Sequence, residues 1–103
     1  MDEGIPTGDD LVALLAALAS PHRLRVVAAL AGGRNYVSQL ARDLGISRAL
    51  LQVHLKKLEA SGLVTSAIEV SEDGKAMNYY EVVPFAVHLT PALVEQASAT
   101  LTV

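Results

Sequence analysis

The chain has 103 residues, no cysteine, and eleven acidic against eight basic side chains, for a formal net charge of −3. That length supports one small domain with a modest core, and the missing thiols exclude disulfides and thiolate metal sites. The longest apolar run, residues 11–19, is too short to cross a bilayer and follows no basic stretch, so neither a membrane segment nor a signal peptide is expected and a cytoplasmic location is.

Residues 1–8 carry Gly4, Pro6 and Gly8 among acids and read as a flexible lead-in, which leaves a single domain over 9–103. Asp9 or Asp10 is expected to cap a first helix running to about Ala19. In it Leu11, Val12, Leu14, Leu15 and Leu18 alternate with alanines and leave almost no polar face. A helix that is apolar all round must be covered on most sides, and in so short a chain a partner subunit is the expected cover. Ser20 and Pro21 then restart the chain as N-cap and first helical residue of a second helix that carries Leu24, Val27, Ala28 and Leu30 and runs to Ala31 before Gly32 and Gly33. Residues 34–36 form a short extended link.

The stretch YVSQLARDLGISRALLQVHLKKLEASGLV, residues 36–64, carries the strongest signal. Val37, Leu40, Ala41 and Leu44 fall on one helix face, and Gly45 follows where a left-handed residue ends a helix. Ile46 can plug the angle to a second helix that Ser47 caps. Leu51, Leu55 and Leu58 make its buried stripe, while Ser47, Arg48, Ala49, Gln52, Val53 and Lys56 lie away from it, before Gly62 ends the helix. This is the pattern of a helix-turn-helix over about 37–61 whose second helix enters a DNA groove. Arg48 suits bidentate contact with guanine, Gln52 with adenine, and Val53 offers methyl contact to thymine. His54, between the reading face and the stripe, is expected to bond backbone or phosphate.

Two strand-like runs flank Asp73-Gly74 and predict a β-hairpin over about 63–83, on which Tyr79 and Tyr80 point to opposite faces. Thr90 and Pro91 then cap a last helix over about 91–102 with Leu93, Val94, Ala97 and Leu101 on one face. The expected fold is therefore mainly α with a small β-hairpin, a winged helix-turn-helix ending in a C-terminal helix.

The net charge is against nucleic acid only superficially. Asp2, Glu3, Asp9 and Asp10 hold four of the eleven acids, and between Arg42 and Lys57 four basic residues meet only Asp43. A local positive face of this kind suffices for a dimer whose two copies add.

The strings ALASPHRLRVVAAL, VSQLARDLGIS and VHLKKLEASGLV, followed by a hairpin ending in YYEV, resemble the ArsR-type winged-helix transcriptional regulators of bacteria and archaea from Leu11 to about Leu101. The resemblance implies a homodimer paired through its first and last helices, here Leu11, Leu14, Leu15, Leu18, Leu93, Val94, Ala97 and Leu101. It implies repression or activation of promoters by insertion of the second motif helix into the major groove of double-stranded DNA. On this likeness Ser47, Arg48, Ala49, Gln52 and Val53 occupy reading positions, Lys56 faces phosphate, and Lys75 sits at the wing tip. The cysteine pair by which many such proteins sense metals is replaced by Val37, Ser38, Gln39 and Leu40. Of the Asp and His ligands that others place between their last helices, only His88 and Glu95 are comparable, and they lack the partners for a four-coordinate site. No metal and no cofactor is expected, and the residues do not define a small-molecule effector.

Catalysis finds no support: there is no cysteine nucleophile and no serine set with histidine and acid in a motif, and Gly32-Gly33 lacks the lysine and spacing of a phosphate loop. The rival to a DNA-binding regulator is a winged-helix protein-interaction module, which the acidic balance and the apolar first helix both allow.

Overall fold

The structure, a computed structural model, describes residues 6–103; the part of the expected lead-in over residues 1–5 lies outside them. Helix α1 (Gly8–Leu18) starts earlier than the sequence suggests. Thr7, not Asp9 or Asp10, is its N-cap, its hydroxyl accepting from the Asp10 N–H at 3.1 Å. Asp9 and Asp10 instead occupy the first turn, where their charge favours the helix dipole. Helix α2 (Pro21–Ala31) is capped by Ser20 as expected, with Pro21 in its first turn. Its core face is carried by Val26 and Leu30, while Leu24 is exposed.

The next residues hold a strand that the sequence did not announce. Residues Asn35–Tyr36 (β1) pair antiparallel with Tyr80 and Tyr79, so the expected link is the third strand of a sheet. Helices α3 (Val37–Leu44) and α4 (Arg48–Ala60) follow at the predicted places. Both end alike: Gly45 and Gly62 take left-handed backbone at φ 68° and 79°, and Ile46 N–H and Leu63 N–H reach back to the carbonyls of Ala41 and Leu58. Such a turn fixes the exit direction of each helix without a Cβ penalty.

Strands β2 (Val64–Val70) and β3 (Ala76–Val82) pair in antiparallel register from Val64 with Val82 to Val70 with Ala76. The sheet order is β1-β3-β2. The hairpin turns through Ser71–Lys75, with Gly74 at φ 85°. Helix α5 (Pro91–Ser98), capped by Thr90, stops short of the expected 102, and Leu101 lies beyond it.

The core lies between α2, α3, α4 and the base of the sheet. Leu51, Leu55 and Leu58 are fully buried there beside Val26, Leu40 and Val64, and the alternation on β3 puts Tyr80 inward. Leu14, Leu18, Leu44 and Ile46 pack against its edge. Burying each of the larger apolar side chains contributes roughly 1.5–3 kcal/mol, so α4 is held by its stripe with its opposite face left free. Helix α1 meets α5 through a smaller contact of its own, in which Leu11 and Ala97 are buried and Gly8 N–H donates to Thr100 Oγ1 at 2.7 Å. Among the described residues no single helix is long and apolar enough to cross a membrane.

Candidate nucleic-acid interface

Ser47 sets the start of α4: its hydroxyl accepts from the Leu50 N–H at 3.0 Å, which leaves Arg48 at the exposed first position. Successive turns then present Arg48, Ala49, Val53 and Lys56 to solvent, with Gln52 half-buried beside them. The sheet brings further residues to this face. Arg48 and Gln52 border a hollow of about 170 Å³ closed by Tyr36, Val37 and Ser38 on one side and by Ala76, Met77 and Asn78 of β3 on the other. Tyr36, Ser38 and Asn78 were not legible as site residues, because their placement depends on the unannounced strand β1. The signal for the strand was its aromatic partners Tyr79 and Tyr80 on β3, which no local pattern at 34–36 reveals.

His54 does not join the exposed face. Its ring lies 5.1 Å from that of His22, centroid to centroid, and its Nδ1 lies 3.3 Å from Arg23 Nη1. In place of a bond to backbone, its Nδ1 makes this side-chain contact with Arg23 of α2. Burial first, then the charges of His22, Arg23 and Lys57, holds the His54 imidazole below its ordinary pKa.

Two acids of the wing, Glu69 and Asp73, are held by neighbouring groups. Glu69 pairs with Arg34, whose guanidinium lies 4.3 Å from the centre of the Tyr79 ring, so β1, β3 and β2 are bridged on one face. That hydrogen bond lowers the pKa of the carboxyl. Asp73 accepts from the Ser71 hydroxyl and from the Lys75 N–H, which fixes the turn and lowers its pKa likewise. Lys75 is exposed where the turn enters β3. Arg34–Glu69 is the only ion pair among the described residues, so Arg48, Lys56 and Lys75 keep their charge uncompensated by any described carboxylate.

The residues expected to pair two subunits divide. Leu11 and Ala97 are buried against each other's helices, Leu14 and Leu18 face the core, and Leu93 is half-buried. Leu15, Val94 and Leu101 are more than two-fifths exposed, and Val12, not expected in this role, joins them at 58%. These four rim an apolar hollow of about 160 Å³ between α1 and α5. Among the described residues no three His, Asp or Glu side chains come together as a metal site, and His88 and Glu95 remain without further ligands.

The tripartite helix core with its seated second helix and three-stranded wing is a winged helix-turn-helix. Residues 20–66 match the model of the bacterial regulatory protein, arsR family. An uncharacterized HTH-type transcriptional regulator of Methanocaldococcus jannaschii is 29% identical over 87 residues, 84% of this chain and 90% of that protein. HlyU from Vibrio cholerae shares the fold with a TM-score of 0.66 at 22% identity, over 96% of this chain and 92% of that one. The homodimeric winged helix-turn-helix DNA-binding domain of Mb0332 from Mycobacterium bovis does so with a TM-score of 0.65 at 22% identity, over 88% of this chain and 74% of that one. The M. jannaschii protein is described as a transcriptional regulator and the M. bovis protein as a possible one of the ArsR family.

Proposed function

We propose that the chain regulates transcription as a homodimer, each copy placing α4 in the major groove of one half of an inverted-repeat operator. The observation that carries this reading is the exposed Arg48, Ala49, Val53 and Lys56 face of a helix whose other side is locked by Leu51, Leu55 and Leu58. Arg48 and Gln52 read bases, Ser47, Ala49 and Val53 complete the contact surface, and Lys56 and Lys75 meet phosphate. The apolar rim of Val12, Leu15, Val94 and Leu101 supports the pairing of two copies, and the M. bovis domain of the same fold is described as homodimeric. Two such faces, related by a two-fold axis, would reach half-sites about 34–36 Å apart.

Selection of duplex from a random pool by the purified protein, repeated over a salt series, tests this reading. Enrichment of a palindrome bound with a steep salt dependence is the expected result. A protein that enriches no duplex even at low salt is instead a winged-helix module for binding another protein.

A further inference from the structure

Arg23, in the first turn of α2, joins two other helices. Its Nε donates to the Ala17 carbonyl at 2.6 Å and its Nη2 to that of Ala16 at 3.4 Å, which satisfies carbonyls in the last turn of α1. Its Nη1 is the group 3.3 Å from His54 Nδ1 on α4. A guanidinium has only N–H groups to offer, so Nδ1 is the acceptor and the neutral ring carries its proton on Nε2. That Nε2 is buried and has no partner among the described residues. The charged and titratable groups around the ring are His22 and Arg23 from α2 and Lys57 from α4 itself, all basic, while α1 contributes carbonyls alone.

We propose that Arg23 and His54 form a proton-sensitive latch that positions the recognition helix, tying α4 through α2 to the end of α1, and that operator binding requires the latch closed with His54 neutral. This rests on the DNA-binding reading above. Both are positioning residues: they act through the seat of α4 and not by touching DNA.

Protonation at Nδ1 would set an imidazolium N–H against a guanidinium N–H, with Lys57 and His22 close by and no carboxylate to absorb the charge. The hydrogen bond is then lost. Either Arg23 swings away and frees the carbonyls of α1, or His54 leaves and carries α4 with it. Because the folded-state pKa of His54 is lowered, the latch is closed above the ordinary histidine value of about 6.5 and opens as pH falls through the lowered value. Acidification should therefore weaken DNA binding. Added positive charge on a protein surface would do the opposite, since it strengthens attraction to phosphate.

The test is fluorescence anisotropy of the selected operator at fixed ionic strength from pH 8 to 5.5, with wild type, His54→Gln and His22→Ala. Melting temperatures without DNA and the C2-proton NMR titration of the three histidines of the wild type accompany it. Affinity of the wild type should fall on acidification, by no more than about tenfold per pH unit, the limit for one linked proton. Glutamine offers Arg23 an acceptor that does not protonate in this range, so His54→Gln should lose the fall while His22→Ala keeps it. Affinity that rises or stays level on acidification in the wild type overturns the latch, as does a fall that survives in His54→Gln. If His54→Gln does not fold, the wild-type titration decides: a His54 that protonates at an ordinary histidine value overturns the proposal. A wild type that binds no duplex at pH 8 and low salt defeats the DNA-binding reading alone. The histidine titration, and acid-sensitive melting in wild type but not in His54→Gln, still decide the latch.

Discussion

At the scale of single residues, the exposed side of α4 separates two kinds of contact. Arg48 and Gln52 lie one turn apart beside the hollow that the wing completes, where in the proposed function their planar donor and acceptor groups would meet base edges. Lys56 is exposed one turn further on, a point charge with no fixed geometry. Arg48→Ala and Gln52→Ala should each lose about 1–3 kcal/mol of discrimination between the operator and single-base variants. Lys56→Ala should weaken all sequences alike and lower the salt slope by about 1. Competition binding against a panel of single-base variants measures both, and a preference left intact in Arg48→Ala would remove that residue from base reading. The wing tip shows why counting charges misjudges a surface. By count Glu69, Glu72 and Asp73 face one lysine, yet Glu69 is paired with Arg34, while Asp73 is bonded within its own turn and keeps its charge.

At the scale of elements, legibility follows how local the determining forces are. The helix-turn-helix was readable because each step is set within a few residues: a stripe at helical spacing, a serine cap, a glycine stop. The hairpin was readable for the same reason at Asp73-Gly74. Strand β1 was not, since two residues carry no periodicity and become a strand only through Tyr79 and Tyr80, more than forty positions on. The start of α1 was placed late, at Asp9 or Asp10, although Thr7 and Asp10 stand at the spacing of a capping box. The end of α5 was placed late because Leu101 continues the apolar spacing, while Thr100 bonds back to the Ala97 carbonyl past the last helical turn. Gly8 tests the α1–α5 contact directly. Within a helix, Gly→Ala ordinarily stabilises by about 0.5–1 kcal/mol. Here the new Cβ would stand 2.4 Å from the Ala97 carbonyl oxygen and 2.6 Å from Leu101 Cγ. Overpacking of this kind costs about 1–3 kcal/mol, so the sign reverses and Gly8→Ala should lower the melting temperature. A thermal melt that rises instead would mean the two helices part without cost.

At the scale of the whole molecule, the proposed function asks a chain of net charge −3 to meet DNA through a local field, which two copies on one site would double. In that reading the apolar rim on α1 and α5 would supply the means of pairing. Leu15→Glu should yield a monomer by sedimentation that still melts cooperatively, because Leu15 is 43% exposed in the single chain. The same variant should lose affinity for the palindrome while keeping weak binding to a half-site. A Leu15→Glu protein that stays dimeric would move the interface elsewhere.

The clasp between α1 and the residues after α5 bears on the order of folding. The bond from Gly8 N–H to Thr100 Oγ1 joins positions 92 apart in sequence, and Thr102 bonds Asp9 across a similar span. Closing a loop of that length costs about 4 kcal/mol of chain entropy by the logarithmic law, against the handful of contacts it gains. This end of the molecule is therefore the last to assemble and the first to open, while the helix-turn-helix stays intact. The Gly8 amide should exchange with solvent far sooner than that of Leu55, and its protection should rise with protein concentration as a second copy closes over the same two helices. Exchange at Gly8 that ignores concentration would show that pairing leaves the clasp untouched.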